Sequence, residues 1–174
     1  MPLSRAVFFD RDGVLTRERK DYVKTPEELE ILPGIKVPLL EIQKRGFRIV
    51  IITNQSVVGR GLTTEYEMSR IHEKLRAELA RLGCKIDGIY YCPHRPDEGC
   101  ACRKPQPGLI LKASRELGID RTRSWMIGDK EIDLEAAKRA GCHGIRIPTN
   151  GEGLADAVRR IVVAEDECRG VGSY

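Results

Sequence analysis

The sequence predicts an α/β fold: a three-layer, Rossmann-like parallel sheet with helices on both faces. Three observations carry this reading. Short β-branched, apolar segments alternate along the chain with segments of helical spacing. The strand-like segments are continuously apolar, as strands covered on both faces are. A reactive or hydrogen-bonding residue stands just past the end of three separate strand-like segments, namely Asp10, Thr53 and Asp129. In an open parallel sheet, ligands sit outside the carboxyl ends of the strands.

The elements follow in order. A first strand is expected over 6–9, Ala-Val-Phe-Phe, ending at Asp10. Pro33-Gly34 breaks the chain before a short helix over 37–42 that stops at Gly46. Residues 47–52 are apolar and β-branched and predict a second strand ending at Thr53. Thr64 with Glu67 reads as a capping box; Met68, Ile71, Leu75, Leu79 and Leu82 then form one apolar stripe, ended by Gly83. A third strand is expected over 86–91. Pro107 opens a helix through 117, stopped by Gly118. A strand over 124–127 leads to Gly128-Asp129, a helix over 131–140 to Gly141, a strand over 143–147 and a last helix over 154–163 follow. Residues 165–174 read as a frayed tail. No repeat, low-complexity stretch or linker divides the 174 residues, so a single domain is expected, with its core over 5–163.

Composition narrows the function classes. Hydrophobic residues at 41% and charged residues at 32% exclude general disorder. No apolar run, 49–52 included, exceeds four residues, far too short to span a bilayer, and the start Met-Pro-Leu-Ser-Arg lacks an apolar signal core. A cytoplasmic monomer with no membrane partner is expected. The net charge of +4 suits an anionic small molecule; nucleic acid is disfavoured because the aromatic residues form no stripe interleaved with basic ones.

Asp10-Arg11-Asp12-Gly13 sets two carboxylates two positions apart, on the same side of an extended segment. Like charges that close do not both ionise easily, so one stays anionic and the other can hold a proton near neutrality. That suits a nucleophile with a general acid, and equally an acidic pair that binds metal or caps a loop. Thr53-Asn54-Gln55-Ser56 offers uncharged donors, and the paired amides stand out in a chain with only five Asn and Gln. Lys104, in a proline-stiffened loop, offers a fixed cation. Asp129 and Asp133 form a second acidic cluster at a helix start, able to hold a hard cation such as Mg²⁺; Asp133 can equally serve the helix dipole. Cys92, His94, Cys100 and Cys102 supply three sulfurs and one imidazole, the donor set of a closed tetrahedral Zn²⁺ site, or else free thiols beside a surface histidine. His72 is read as a surface residue, and the 17–20 run as a solvated face or a contact for a second phosphate.

Asp10-x-Asp12-Gly, Thr53, Lys104 and Gly128-Asp129-x-x-x-Asp133 together resemble, in order, the haloacid dehalogenase-type phosphatases. The short stretch between Gly13 and Thr53 marks the resemblance as one to capless members. Asp21-Tyr22-Val, Thr53-Asn-Gln-Ser56, Arg60-Gly, Tyr90-Tyr-Cys92-Pro-His94, Cys102-Arg-Lys-Pro-x-Pro-Gly108 and Gly128-Asp-Lys130 are similar to the D-glycero-D-manno-heptose 1,7-bisphosphate phosphatases. Histidinol-phosphate phosphatases lie closest to that subgroup, and the short segment between His94 and Cys100 is like theirs. The resemblance implies Mg²⁺-dependent removal of one phosphate from a small sugar bisphosphate, most simply the 7-phosphate of heptose 1,7-bisphosphate, with histidinol phosphate as the alternative. It implies Asp10 as nucleophile, Asp12 as general acid and base, and Thr53 and Lys104 on the transferring oxygens. Asp10, the Asp12 carbonyl and Asp129 would hold Mg²⁺, with Asp133 behind them, and Cys92, His94, Cys100 and Cys102 a structural Zn²⁺. Arg19, Asp21, Tyr22, Asn54, Gln55, Ser56, Arg60, Arg103 and Lys130 would contact the substrate. A phospho-accepting signalling domain and a nucleic-acid 3′-phosphatase share parts of this chemistry.

Overall fold

The computed structural model describes residues 2–170, with side chains through residue 167. Five strands form one parallel sheet: β1 (Ala6–Phe9), β2 (Arg48–Asn54), β3 (Gly88–Cys92), β4 (Trp125–Gly128) and β5 (His143–Arg146), in the spatial order β3-β2-β1-β4-β5. Six helices connect and cover them: α1 (Lys36–Lys44), α2 (Ser56–Gly59), α3 (Glu65–Arg81), α4 (Gly108–Leu117), α5 (Glu131–Ala140) and α6 (Leu154–Gly170). The first strand is central, and the chain winds away from it in both directions. The strand order therefore reverses beside β1, where a crevice opens at the carboxyl ends.

Alternation along β1 divides the core. Val7 and Phe9 join Ile49, Ile51, Leu39, Ile42, Met68, Ile71, Leu75 and Ile161 on one face. Ala6 and Phe8 join Val50, Ile52, Met126, Leu109, Ile110, Ala113, Ala136 and Ala137 on the other. Every residue of β1 is fully buried, as two covered faces require. Each such large side chain contributes about 1.5–3 kcal/mol by leaving water.

The helix signals act as the residues dictate. The Thr64 hydroxyl accepts the Glu67 N–H at 3.1 Å and starts α3. The Glu67 carboxylate turns instead to Arg70, so only half of the box forms. Gly118 and Gly141 end α4 and α5 in the left-handed conformation.

Four expectations need correction. β2 runs on through Thr53 to Asn54, because both still pair with β3, opposite Tyr91 and Cys92. The third strand starts later and ends later than its apolar run, so Cys92 is a buried strand residue. His72 is buried on the inner face of α3, where its ring meets Tyr91 edge-on at 5.2 Å and a buried arginine. Residues 165–170, read as tail, continue α6; residues 171–174 lie outside the described residues. No helix among the described residues is long and apolar enough to cross a membrane.

Candidate active site

Asp10 follows the end of β1, Thr53 is the penultimate residue of β2 and Asp129 follows β4, so three adjacent strands bring them to one rim. Gly13 makes this approach possible. Its φ is +86°, and a Cβ there would sit 2.6 Å from Asp129 Oδ2.

Lys104 is drawn into the centre of the rim. Asn54 staples its loop to β2: Oδ1 accepts the Lys104 N–H at 3.0 Å and Nδ2 donates to the Lys104 carbonyl at 3.1 Å. The buried ammonium donates to Asp10 Oδ1 (2.9 Å) and the Ile52 carbonyl (2.9 Å), and forms an ion pair with Asp133 Oδ1 at 2.6 Å. Burial disfavours this cation, but the charges of Asp10 and Asp133 outweigh burial and hold its pKa above the usual lysine value. Asp133 is fully buried, and its Oδ2 accepts the Lys130 N–H at 3.1 Å. It thus serves both the start of α5 and the Lys104 pair.

The two carboxylates of the Asp-x-Asp pair do split, in the order opposite to the sequence expectation. Burial, helped by the nearby Asp133 and Asp12 charges against the opposing pull of Lys104, pushes Asp10 up to about 7. Burial would raise Asp12 too, but the Arg11 charge and donors from Arg11, Gln55 and Thr16 overcome it, and Asp12 falls below the usual carboxylate range. The spacing alone could not anticipate which member the intervening arginine would hold.

Asp10, Asp129 and Asp133 present buried oxygens within 4.8 Å of one another, faced by the single Lys104 ammonium. Asp129 Oδ2 accepts the Thr149 hydroxyl at 2.8 Å, while its buried Oδ1 has no hydrogen-bond partner among the described residues. Burial also raises the Asp129 pKa. Three hard oxygen donors, with two buried oxygens (Asp129 Oδ1 and Asp133 Oδ1) accepting no hydrogen bond among the described residues, fit a divalent cation such as Mg²⁺.

Cys92, His94, Cys100 and Cys102 converge beside this rim. The Sγ–Sγ separations are 3.1, 3.5 and 3.5 Å, and Nδ1 of His94 lies 3.4 and 3.3 Å from Cys92 and Cys102. These are too long for disulfides. They approach the edges of a zinc tetrahedron, about 3.8 Å between sulfurs and about 3.5 Å from sulfur to nitrogen. Burial raises the Cys92 thiol; at Cys100, donors from the Arg103 and Cys102 backbone and the neighbouring thiols outweigh burial and draw it down to about 7. The donor set fits Zn²⁺.

A cleft of about 200 Å³ opens over Asp10 and Asp12, walled by Arg19, Tyr22, Thr53, Asn54, Gln55, Ser56, Arg60, Arg103, Lys104 and Lys130. Several of these already have internal work. Gln55 Nε2 donates to Asp12 Oδ2 at 2.7 Å and to Thr53 Oγ1 at 2.8 Å, and Arg103 donates to the His94 carbonyl at 3.3 Å. Lys130 pairs with Glu18, which also lines the cleft. Tyr22 has φ of +66°, and its ring lies 5.9 Å from the Arg60 guanidinium. Asp21 does not line the cleft; it is exposed and pairs with Arg19 and Lys24. Of the 17–20 run, Arg17 pairs outward with Glu30, and only Glu18 and Arg19 reach the cleft.

Sequence reasoning missed Arg11, Thr149 and Glu18. Thr149 follows β5, so the strand-end rule applied to the fifth strand as well would have found it. Arg11 was legible through alternation: between two carboxylates facing the cleft, the intervening side chain must turn toward the core, where a charge needs a partner. Glu18 was hidden within a charged run.

The HAD-hydrolase-like family model matches residues 101–167. The chain is 43% identical over 142 residues, 78% of its length, to a D-glycero-beta-D-manno-heptose-1,7-bisphosphate 7-phosphatase of Photorhabdus laumondii, covering 75% of that relative. It is 38% identical over 167 residues to the enzyme of the same name from Yersinia pestis, covering 88% of each chain. Among solved structures, D,D-heptose 1,7-bisphosphate phosphatase of Bordetella bronchiseptica, crystallised with magnesium and phosphate, superposes with a TM-score of 0.85 at 33% identity over 92% of this chain and 99% of that one. With relatives this similar over most of its length, the chain belongs to the D-glycero-beta-D-manno-heptose-1,7-bisphosphate 7-phosphatase family of HAD-like hydrolases.

Proposed function

We propose that the protein hydrolyses the 7-phosphate of D-glycero-β-D-manno-heptose 1,7-bisphosphate through an aspartyl-phosphate on Asp10. The observation that carries this reading is the surplus of positive charge in the cleft. Lys104 is spent on the reacting end, Lys130 pairs with Glu18 and Arg19 with Asp21, yet Arg60 and Arg103 line the same cavity with no carboxylate paired to them among the described residues. A single transferred phosphoryl group does not need them all; a second phosphate does.

The chemistry follows from the residues. Asp10 attacks phosphorus as a carboxylate, the form that the Lys104 charge and a bound cation favour, as the bond to the sugar oxygen breaks; Asp12, which takes up a proton when the anionic phosphate stands beside it, gives that oxygen the proton. Water then attacks the aspartyl-phosphate, gives its proton to Asp12 and releases phosphate and Asp10. Thr53 Oγ1 accepts from Gln55, which leaves the hydroxyl proton to donate to a transferring oxygen. Lys104 offers its charge to the same group. Asp10, Asp129 and the Asp12 carbonyl would hold Mg²⁺, which when bound supplies positive charge to the transferring phosphoryl group. Zn²⁺ on Cys92, His94, Cys100 and Cys102 would be structural, because four protein ligands leave no position for water.

Two substitution sets test the reading. Asp12→Asn is expected to lower kcat on the sugar phosphate about 10²-fold or more, and to spare an activated aryl phosphate, whose leaving group needs no proton. Equal losses would remove Asp12 from the proton-transfer role. Arg60→Ala or Arg103→Ala is expected to raise KM for the bisphosphate about tenfold or more, because a charge-assisted contact is worth about 1.5–3 kcal/mol. A monophosphate should change far less. Equal changes on both would show that neither arginine holds a remote phosphate.

A further inference from the structure

Arg11 has the largest fully buried side chain among the described residues, with 0% exposure. It lies behind the cleft wall and is not among the residues that line the cleft. Its guanidinium nonetheless uses every N–H. Nε lies 3.1 and 3.2 Å from the two Asp12 oxygens, and Nη2 donates to Asp12 Oδ2 and Gln55 Oε1, both at 2.9 Å. Nη1 faces Met68 Sδ at 3.6 Å and His72 Nε2 at 3.3 Å. Arginine only donates, so His72 must accept at Nε2, as a neutral ring with its proton on Nδ1. Among the described residues, the one carboxylate paired with this buried charge is Asp12.

Stability does not account for such an arrangement, since apolar groups of similar volume commonly serve a core at least as well as a buried ion pair. The geometry points to position. Asp12 Oδ2 receives Arg11 and Gln55, and Oδ1 receives Arg11 and Thr16, so both oxygens are fixed. Gln55 in turn reaches Thr53, which links the carboxylate to a phosphate-facing hydroxyl.

We infer that Arg11 is a positioning residue for proton transfer: its fork, braced from behind by His72, holds the Asp12 carboxylate at one orientation against the cleft. The inference rests on Asp12 as the acid–base group. In the first step the Asp12 O–H bond breaks as its proton passes to the sugar oxygen leaving phosphorus. The resulting carboxylate is the species the fork receives. In the second step it takes a proton from water as the water oxygen bonds to phosphorus and the Asp10–phosphorus bond breaks.

The test compares heptose 1,7-bisphosphate with p-nitrophenyl phosphate in Asp12→Asn, Arg11→Met and Arg11→Lys. Arg11→Met is expected to lower kcat on the sugar substrate about 30-fold or more, within the range of general acid–base catalysis, and to change the aryl substrate by less than about threefold. KM should move little on either. Arg11→Lys should fall between, because an ammonium keeps the charge without the fork. Equal losses on both substrates in Arg11→Met, with Asp12→Asn still selective, would overturn the positioning role and leave the proposed function standing. If Asp12→Asn is itself unselective, the acid–base assignment falls and the inference with it. Should Arg11→Met not fold, His72→Leu decides. A loss of about threefold or more on the sugar substrate alone, recovered in His72→Gln, supports the role, and an unselective loss or none overturns it.

Discussion

Asp10→Asn is expected to lower turnover of heptose 1,7-bisphosphate by about 10³-fold or more, because an amide is no nucleophile and no second carboxylate occupies its place over the cleft. Residual activity within about tenfold of the unaltered enzyme would remove Asp10 from the nucleophile role. The same substitution should not cost stability. Asp10 is buried against Asp133, and burial lifts its pKa from 3.8 to about 7. The sign of the linkage is then fixed. Below about pH 4 the group is neutral in both folded and unfolded chains, so it favours neither. Between that pH and about 7 the unfolded chain releases the proton and the folded one keeps it, so stability falls as pH rises; above about 7 the loss is complete. In Mg²⁺-free buffer, Asp10→Asn should therefore gain in Tm on the unaltered protein across that window and hold the gain above it. Thermal unfolding as a function of pH measures this directly. A variant that loses stability equally at every pH would show that the ion pair with Lys104 outweighs the crowding.

The second large effect concerns zinc. Elemental analysis of protein purified without added metal is expected to find one tightly held zinc per chain, separate from Mg²⁺. Less than about 0.2 equivalents, with all six thiols titratable, would count against the site. Cys100→Ser is expected to lower Tm by about 10 °C, since structural zinc contributes on the order of 10 kcal/mol to small sites and one lost thiolate forfeits much of that. Activity should fall as a consequence. Arg103 and Lys104 follow Cys102 directly, Arg103 donates to the His94 carbonyl, and Lys104 lies between Asp10 and Asp133. A metal that pins Cys102 thereby fixes where two cations enter the cleft.

The parallel sheet was legible because buried strands announce themselves as apolar runs, and the strand-end rule found Asp10, Thr53 and Asp129 without knowledge of contacts. Strand limits were less legible. Cys92 and Asn54 belong to β3 and β2 through pairing with each other, and pairing is not a property of either segment alone. α2 was missed because its four residues are too few to show a helical period. His72 was misplaced by its polarity: it is buried because a deeper charge, Arg11, needs an acceptor there. Asp133 illustrates the same limit. The sequence offered a helix-dipole role or a metal-associated one, whereas the structure joins it to Lys104, a residue far away in the chain, from 2.6 Å. Long-range pairing of buried charges leaves little trace in local pattern.

The proposed activity is tested most directly by following phosphate release from D-glycero-β-D-manno-heptose 1,7-bisphosphate in the presence of Mg²⁺, with histidinol phosphate as the competing substrate. The expected result is loss of the 7-phosphate, accumulation of the heptose 1-phosphate and a higher kcat/KM than for histidinol phosphate. A preference for histidinol phosphate by more than about tenfold, equivalent to about 1.4 kcal/mol of transition-state stabilisation, would contradict it, as would release of the 1-phosphate in place of the 7-phosphate.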